Sequence, residues 1–150
     1  MQEKSLGKWL SLLYRYSHIY LSEQLTPYDL GKGQALFLIA LYHADGITQD
    51  ELSRYLYIDK STTARAIEKL VESGYAKKEH AKHDQRCKKV YLTSKAKKIE
   101  PHIQKILKQW TDILSKNMSD DEFYTAVKLL QKMNDNAIQH IKAIKTGNSN

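Results

Sequence analysis

Two short helices in close succession are the feature that most constrains the fold of this chain. The first is predicted from the capping box at 48–51 (TQDE), in which a Thr hydroxyl and a Glu carboxylate each accept a backbone N–H. Asp59 then supplies the N-cap of a second helix, predicted over 60–73, and Gly74 ends it as a left-handed cap residue. The apolar stripe that this second helix is predicted to bury consists of Ala64, Ile67, Leu70 and Val71.

Two strands are predicted directly after these helices, at 75–80 and 88–93, with Val90 and Leu92 on one face. The seven residues 81–87 between them are predicted to form a hairpin loop. Two helices joined by a tight turn and followed by a two-stranded hairpin make a winged helix-turn-helix.

Longer helices are predicted on both sides of this segment. One ends before Thr26-Pro27, and a second, apolar almost all round, covers 34–43. A third covers 94–116, where Pro101 either kinks the helix or marks its start, and a last one follows the capping box at 119–122. The predicted fold class is mainly α (α+β): a winged helix-turn-helix domain at 30–98, with the helices of 1–29 and 99–150 forming a dimerisation region.

The positive charge of the chain is concentrated around the hairpin. Between Lys77 and Lys98 there are nine Lys or Arg residues and two acidic ones, a net of +7, whereas the rest of the chain carries 15 of each sign. A localised excess favours a polyanionic partner over a generally solvated surface. Double-stranded DNA suits both this charge and the winged helix-turn-helix.

The second helix of such a motif normally enters the major groove by its N-terminal end. Arg65 can reach a guanine or a phosphate there, and Lys69 lies one turn further along the helix. The residues of this helix that are predicted to bind DNA are Lys60, Ser61, Thr62, Thr63, Arg65 and Lys69.

The hairpin is predicted to reach the minor groove, which favours a narrow cationic projection. Arg86 is the expected inserting group. Asp84 is expected to brace the loop by accepting backbone N–H groups and by pairing with Arg86. The residues of the hairpin that are predicted to bind DNA are Lys82, His83, Arg86, Lys88 and Lys89.

The segment 46–98, with Asp84-Gln85-Arg86 followed by a strand that ends in Leu92-Thr93, resembles the DNA-binding core of the MarR (multiple antibiotic resistance regulator) family. It departs from the family pattern at Cys87, where a small residue often follows the Arg, and at Tyr57 in the turn. The resemblance covers nearly the whole chain. It implies a homodimer in which the terminal helices of two chains intertwine and two winged helices reach successive major grooves of a palindromic site.

The terminal helices agree with a homodimer, because they carry more apolar surface than a small winged helix could cover, including Trp9, Trp110 and Ile144. The family often binds small aromatic acids between the dimer helices and the winged helix. By that resemblance the ligand candidates are Lys8, Arg15 and His18, with Tyr14 or Tyr16 as an aromatic wall. A solvated cationic helix face is the alternative for each of them.

Cys87 is the only cysteine, so the chain cannot form an internal disulfide, which is consistent with a cytoplasmic protein. It is a candidate redox sensor, but peroxide-sensing members of the family carry the reactive cysteine in the first helix, so an incidental small residue is favoured. His80, His83 and Cys87 have a spacing that zinc could use, yet a loop without a fourth ligand argues against a site. No metal or other cofactor is expected.

The sequence contains no nucleophilic triad, paired-carboxylate or metal-hydrolase motif, and no stretch as apolar as a membrane span, so neither an enzyme nor a membrane partner is expected. The predicted function is a cytoplasmic, homodimeric transcriptional regulator on a palindromic operator, a repressor relieved by a small aromatic or anionic ligand. Two alternatives remain open: an architectural DNA-binding protein without ligand sensing, and a helical interaction protein whose basic patch meets an acidic partner.

Overall fold

The computed structural model describes residues 4–81 and 83–147. Helices α1 (Leu6–Leu25) and α2 (Lys32–His43) come first, with a 3-10 turn at Thr26–Tyr28 between them. They are followed by β1 (Ile47–Thr48), α3 (Gln49–Leu56), α4 (Lys60–Glu72), β2 (Ala76–Ala81), β3 (Asp84–Leu92), α5 (Ser94–Leu114) and α6 (Asp120–Gly147).

The chain divides into two compact units, Met1–Trp110 and Thr111–Asn150. Helix α1 shares a core with the winged helix-turn-helix: Leu25 is buried, and Tyr20 and Leu21 pack against the same core. The role of the terminal helices as a dimerisation region stays a prediction.

Helix α2 lies at the centre of the first unit, as its apolar composition predicts. Phe37, Leu38 and Leu41 are buried, whereas Leu36 is 47% exposed. The core around α2 is completed by Leu52 of α3, Ile67 and Leu70 of α4, Val90 of β3 and Ile103 of α5. A helix that is apolar on nearly every side requires such a position.

The caps of α3 and α4 are the predicted ones. The Thr48 hydroxyl accepts the Glu51 N–H at 3.1 Å, and the Glu51 carboxylate accepts the Thr48 N–H at 2.8 Å. These hydrogen bonds, that from the Thr48 backbone above all, lower the pKa of the Glu51 carboxyl. Asp59 caps α4, and Gly74 follows that helix with a φ of +80°. Tyr57 ends α3 in the left-handed region, φ 54°, which is uncommon for an aromatic residue.

The buried stripe of α4 differs from the predicted one. Val71 is 39% exposed and Ala64 only half-buried, whereas Thr63 is fully buried. A threonine can occupy this core position because its hydroxyl donates to the Asp59 carbonyl at 2.9 Å, so no polar group is left without a partner. The stripe that faces the core is Thr63, Ala66, Ile67 and Leu70.

The sheet has the antiparallel order β1-β3-β2. Strand β1, which the sequence analysis missed, pairs Ile47 with Val90. The predicted seven-residue loop at 81–87 is wrong, because β3 begins at Asp84 and the ladder extends to the pair Ala81–Asp84. His80 pairs with Lys88, so residues 85–87 of β3 have no counterpart on β2 and form a bulge.

Helix α5 begins at Ser94, and Pro101 lies inside it, so Pro101 does not mark its start. Trp110, predicted to contribute to an uncovered apolar surface, is instead half-buried: it stacks on Tyr20 with ring centroids 4.8 Å apart and donates to the Ser17 hydroxyl at 2.9 Å.

The second unit consists mainly of α6, which begins with the predicted capping box. The Ser119 hydroxyl accepts the Glu122 N–H at 3.1 Å, and the Glu122 carboxylate accepts the Ser119 N–H at 3.0 Å. Large apolar side chains remain exposed along this helix: Tyr124, Val127, Leu129, Leu130, Ile141 and Ile144. None of the helices in the described part of the chain is long and apolar enough to cross a membrane.

Candidate nucleic-acid interface

The N-terminal end of α4 presents most of the predicted DNA-binding residues to solvent. Lys60, Ser61, Arg65 and Lys69 are exposed, and Thr62 is half-buried. Thr63 does not belong to this surface, because its side chain is 0% exposed and its hydroxyl is bonded within the helix. The sequence analysis therefore assigned Thr63 to the wrong face.

Three side chains at this end of α4 form a hydrogen-bonded chain. The Asp59 carboxylate accepts both the backbone N–H of Thr62, at 3.1 Å, and its hydroxyl, at 3.0 Å. The Arg65 guanidinium in turn donates to the Thr62 hydroxyl at 3.3 Å. The Thr62 hydroxyl, followed by its backbone N–H, lowers the pKa of the Asp59 carboxyl. Asp59 therefore remains an acceptor at neutral pH.

Lys60 extends towards α3, where its ammonium lies 3.6 Å from the Asp50 carboxylate. Both side chains are well exposed, so this ion pair contributes little to stability. It places the Lys60 charge at the junction of α3 and α4.

The tip of the hairpin holds Arg86 in the bulge of β3. Asp84 accepts the backbone N–H of Arg86 at 3.0 Å, the side-chain-to-backbone bond expected of an Asp in a turn. The predicted hydrogen bond to a backbone N–H is therefore present, whereas among the described residues Asp84 is not paired with the Arg86 guanidinium. That Asp84 braces the loop stays a prediction. Both side chains are exposed.

A groove lies between α3 and the hairpin, and of the remaining predicted hairpin residues Lys88 lines it. His83 and Lys88 are exposed and Lys89 is half-buried, while the predicted Lys82 lies outside the described residues. The groove has a volume of about 400 Å³, and the basic residues that line it are Arg54, Lys78, Arg86 and Lys88. The sequence analysis missed Arg54 and Lys78, although their positive charge was an available signal.

The ligand candidates on α1 are only partly brought together. Tyr14 and His18 are in ring contact, with centroids 4.3 Å apart. Both line an apolar cavity of about 340 Å³, together with Leu21, Phe37, Ile58 and Thr62 among others. Arg15 lies in an adjoining, shallower pocket with the same two aromatic side chains. Lys8 lies apart, with its ammonium 5.6 Å from the centre of the Trp9 ring.

Metal ligands do not converge in the described part of the chain, where no three His, Cys, Asp or Glu side chains lie close enough to hold an ion. Cys87 is a half-buried free thiol at the wall of the groove.

Two helices joined by a tight turn, an exposed cationic end of the second helix and a cationic bulged hairpin define a winged-helix DNA-binding protein. A MarR family model matches residues 24–86. A MarR transcriptional regulator from Methanosarcina mazei Go1 has a crystal structure that covers 91% of this chain and 99% of its own, with a TM-score of 0.86 and 43% sequence identity. The protein belongs to the MarR family.

Two further relatives agree with this. The HTH-type transcriptional regulator YybA of Bacillus subtilis (strain 168) is 31% identical over 80% of each chain. A cysteine-to-serine mutant of MarR from E. coli, crystallised with operator DNA, is 27% identical with a TM-score of 0.76, over 85% of this chain and 92% of that one. The protein is thus a DNA-binding transcriptional regulator of the helix-turn-helix type and not an enzyme.

Proposed function

We propose that the protein is a homodimeric repressor that binds a palindromic operator with one winged helix in each half-site, and that a small aromatic or anionic ligand relieves repression. The observation that carries the proposal is an uncovered apolar stripe on α1. Its members are Leu6, Trp9, Leu10 and Leu13, which are 59%, 53%, 42% and 45% exposed. Their i, i+3, i+4, i+7 spacing places them on one face of the helix.

Helix α6 supports the same proposal independently. Val127, Leu130, Ile141 and Ile144 are exposed and follow the 3-4 spacing of a heptad seam. Apolar faces of this length are unusual on a monomer and mark interaction surfaces. A second copy of the chain is the occupant we propose, because a two-fold dimer would bring two winged helices to successive turns of one DNA duplex.

DNA sequence recognition is assigned to α4 and the hairpin. Arg65 and its neighbours would enter the major groove, and Arg86 the minor groove. The operator complex of the E. coli relative supports a specific site for this chain, which would act where its operator lies, in the cytoplasm. An architectural protein would show little sequence preference, and a protein that binds only an acidic partner would show none.

The ligand is assigned to the apolar cavity at Tyr14 and His18. Aromatic and aliphatic walls suit a small ring, and His18 and the nearby Arg15 supply charge or hydrogen bonds for an acidic group. Because Thr62 of α4 lines the same cavity, a ligand there would contact the DNA-binding helix directly.

The proposal is tested by selecting binding sites for the purified protein from random DNA duplexes. We expect a palindrome whose half-sites are about one helical turn apart. Selected duplexes without any consensus would contradict sequence-specific regulation, and a single unrepeated half-site would contradict the dimer.

Arg65 is expected to determine one position of that consensus. Arg65→Ala should weaken binding to the selected site by about 1–3 kcal/mol and relax the preference at one base pair of each half-site. Arg65→Lys is the matched control, because it keeps the charge but loses the two-pronged geometry that reads guanine. Fluorescence anisotropy on duplexes changed at each position measures both effects. Equal weakening on every duplex would reassign Arg65 to a phosphate.

A further inference from the structure

We infer that Thr62 is a positioning residue for Arg65: its hydroxyl holds the guanidinium at the DNA-facing end of α4 before DNA arrives. This inference rests on the base-reading role proposed above for Arg65. The chain of contacts that supports it runs from Asp59 through Thr62 to Arg65 and lies within two turns of the helix.

The direction of each hydrogen bond in this chain is fixed. An ionised carboxylate only accepts, so the single proton of the Thr62 hydroxyl is directed to Asp59, at 3.0 Å. The lone pairs of the hydroxyl then remain for the Arg65 guanidinium, which can only donate, at 3.3 Å. Asp59 thus orients the hydroxyl, and the hydroxyl orients the arginine.

Thr62 is itself held in place. Its backbone N–H is bonded to the same Asp59 carboxylate at 3.1 Å, and its side chain is half-buried at the wall of the apolar cavity. A β-branched side chain in a helix has few rotamers available. The Thr62 side chain is therefore more rigid than the long, exposed Arg65 side chain that is bonded to it.

The consequence for DNA binding is a smaller loss of conformational entropy. Immobilising a flexible side chain at an interface opposes binding, and a side chain that is already oriented avoids part of this loss. The bond to Thr62 uses one of the five N–H donors of the guanidinium, so the others remain for a base edge. Thr62 would thereby raise affinity and base discrimination without touching the DNA.

The test compares Thr62→Val, which removes the hydroxyl at nearly constant shape, with Thr62→Ser, which keeps it. Each is made alone and in an Arg65→Ala background, and binding is measured by anisotropy on the selected duplex and on duplexes altered at the base pair that depends on Arg65. We expect Thr62→Val to bind about five- to tenfold more weakly and to lose part of the discrimination at that base pair. Thr62→Ser should stay within about twofold of the parent. In the Arg65→Ala background, Thr62→Val should have no further effect.

A second measurement follows the arginine in the free protein. Nitrogen-15 relaxation of the Arg65 Nε–H should report a restricted side chain in the parent and in Thr62→Ser, and a mobile one in Thr62→Val. Thermal unfolding confirms that each variant is folded.

Three results would overturn the inference. In the first, Thr62→Val binds like the parent while Arg65→Ala relaxes the base preference. This result would refute the positioning role and leave the proposed function intact. In the second, Thr62→Val lowers the affinity as much in the Arg65→Ala background as in the parent. This result would show that Thr62 contacts the DNA itself. Arg65→Ala without any change in base preference overturns the base-reading role itself, and the positioning role with it.

Discussion

Replacing Leu10 and Leu13 by lysine is expected to convert the dimer to a monomer and to weaken binding to a palindromic operator by about 10²–10⁴-fold. Both side chains are exposed members of the α1 stripe, at 42% and 45%. Lysine would bring charge into a surface that a second chain is proposed to cover, and burying an unpaired charge is strongly unfavourable. In a dimer, binding of one half-site gives the second winged helix a high effective concentration at the other half-site. A monomer loses this advantage, which accounts for the expected loss of affinity of about 10²–10⁴-fold.

The matched control for this double variant is Ser11→Lys on the same helix. Ser11 is exposed and lies about 150° around the helix from the centre of the stripe, so a lysine is introduced on the opposite face. Light scattering gives the oligomeric state, anisotropy the affinity, and circular dichroism the helical content. A Leu10→Lys/Leu13→Lys variant that remains a dimer at micromolar concentration would refute the proposed interface.

Features that depend on neighbours in the sequence could be predicted from it. The two capping boxes, the Asp59 cap and the left-handed Gly74 each involve residues three or four positions apart, so the residue types alone specify the contacts. The order of the helices followed in the same way from apolar spacing. The family resemblance rested on the Asp84–Arg86 motif, and the relatives confirm it.

Features that depend on packing could not be predicted in this way. The rotation of α4 is set by the core that it meets, and a threonine whose hydroxyl bonds to its own helix can replace an apolar residue there, so Thr63 was assigned to the surface. Strand β1 has only two residues and no pattern of its own, since it exists through pairing with β3. The bulge and the paired residues at the tip of the hairpin could not be predicted from the sequence, because backbone pairing in an exposed hairpin needs no alternation of apolar residues.

The site itself was predicted more by charge than by geometry. The concentration of Lys and Arg pointed to the hairpin as a candidate contact surface. The groove that it forms with α3, lined also by Arg54 and Lys78, could be found only once the strands were placed. The link between Thr62 and Arg65 is a three-residue spacing that also fits an ordinary helix surface. Only the distances in the structure distinguish a hydrogen-bonded pair from an ordinary helix surface, because both have the same sequence spacing.

Removing the arginine of the hairpin tip is expected to weaken operator binding by about 100-fold or more. Arg86→Ala removes one charged contact from each of two protomers, and a hydrogen bond to a charged group contributes about 1.5–3 kcal/mol. The slope of log affinity against log salt concentration should become shallower by about 0.9 for each phosphate charge that is no longer neutralised, hence by up to about 2 per dimer. Anisotropy at several salt concentrations measures both quantities, and an unchanged affinity and slope would show that Arg86 does not contact the DNA.

The role of Asp84 can be separated from its charge by comparing two substitutions. Asp84→Asn and Asp84→Ala remove the same negative charge from a cationic surface, which on electrostatic grounds favours tighter DNA binding by the same amount. Only Asn keeps a side-chain oxygen that can accept the Arg86 N–H, now bonded to Asp84 at 3.0 Å. We therefore expect Asp84→Asn to bind at least as tightly as the parent and Asp84→Ala to bind more weakly, because a loosened bulge has to be ordered on each encounter with DNA.

In an Arg86→Ala background the two substitutions should become equivalent, since the brace then has no cation to direct. Equal affinities of Asp84→Ala and Asp84→Asn in the parent background would mean that the carboxylate acts through its charge alone and does not hold the tip of the hairpin.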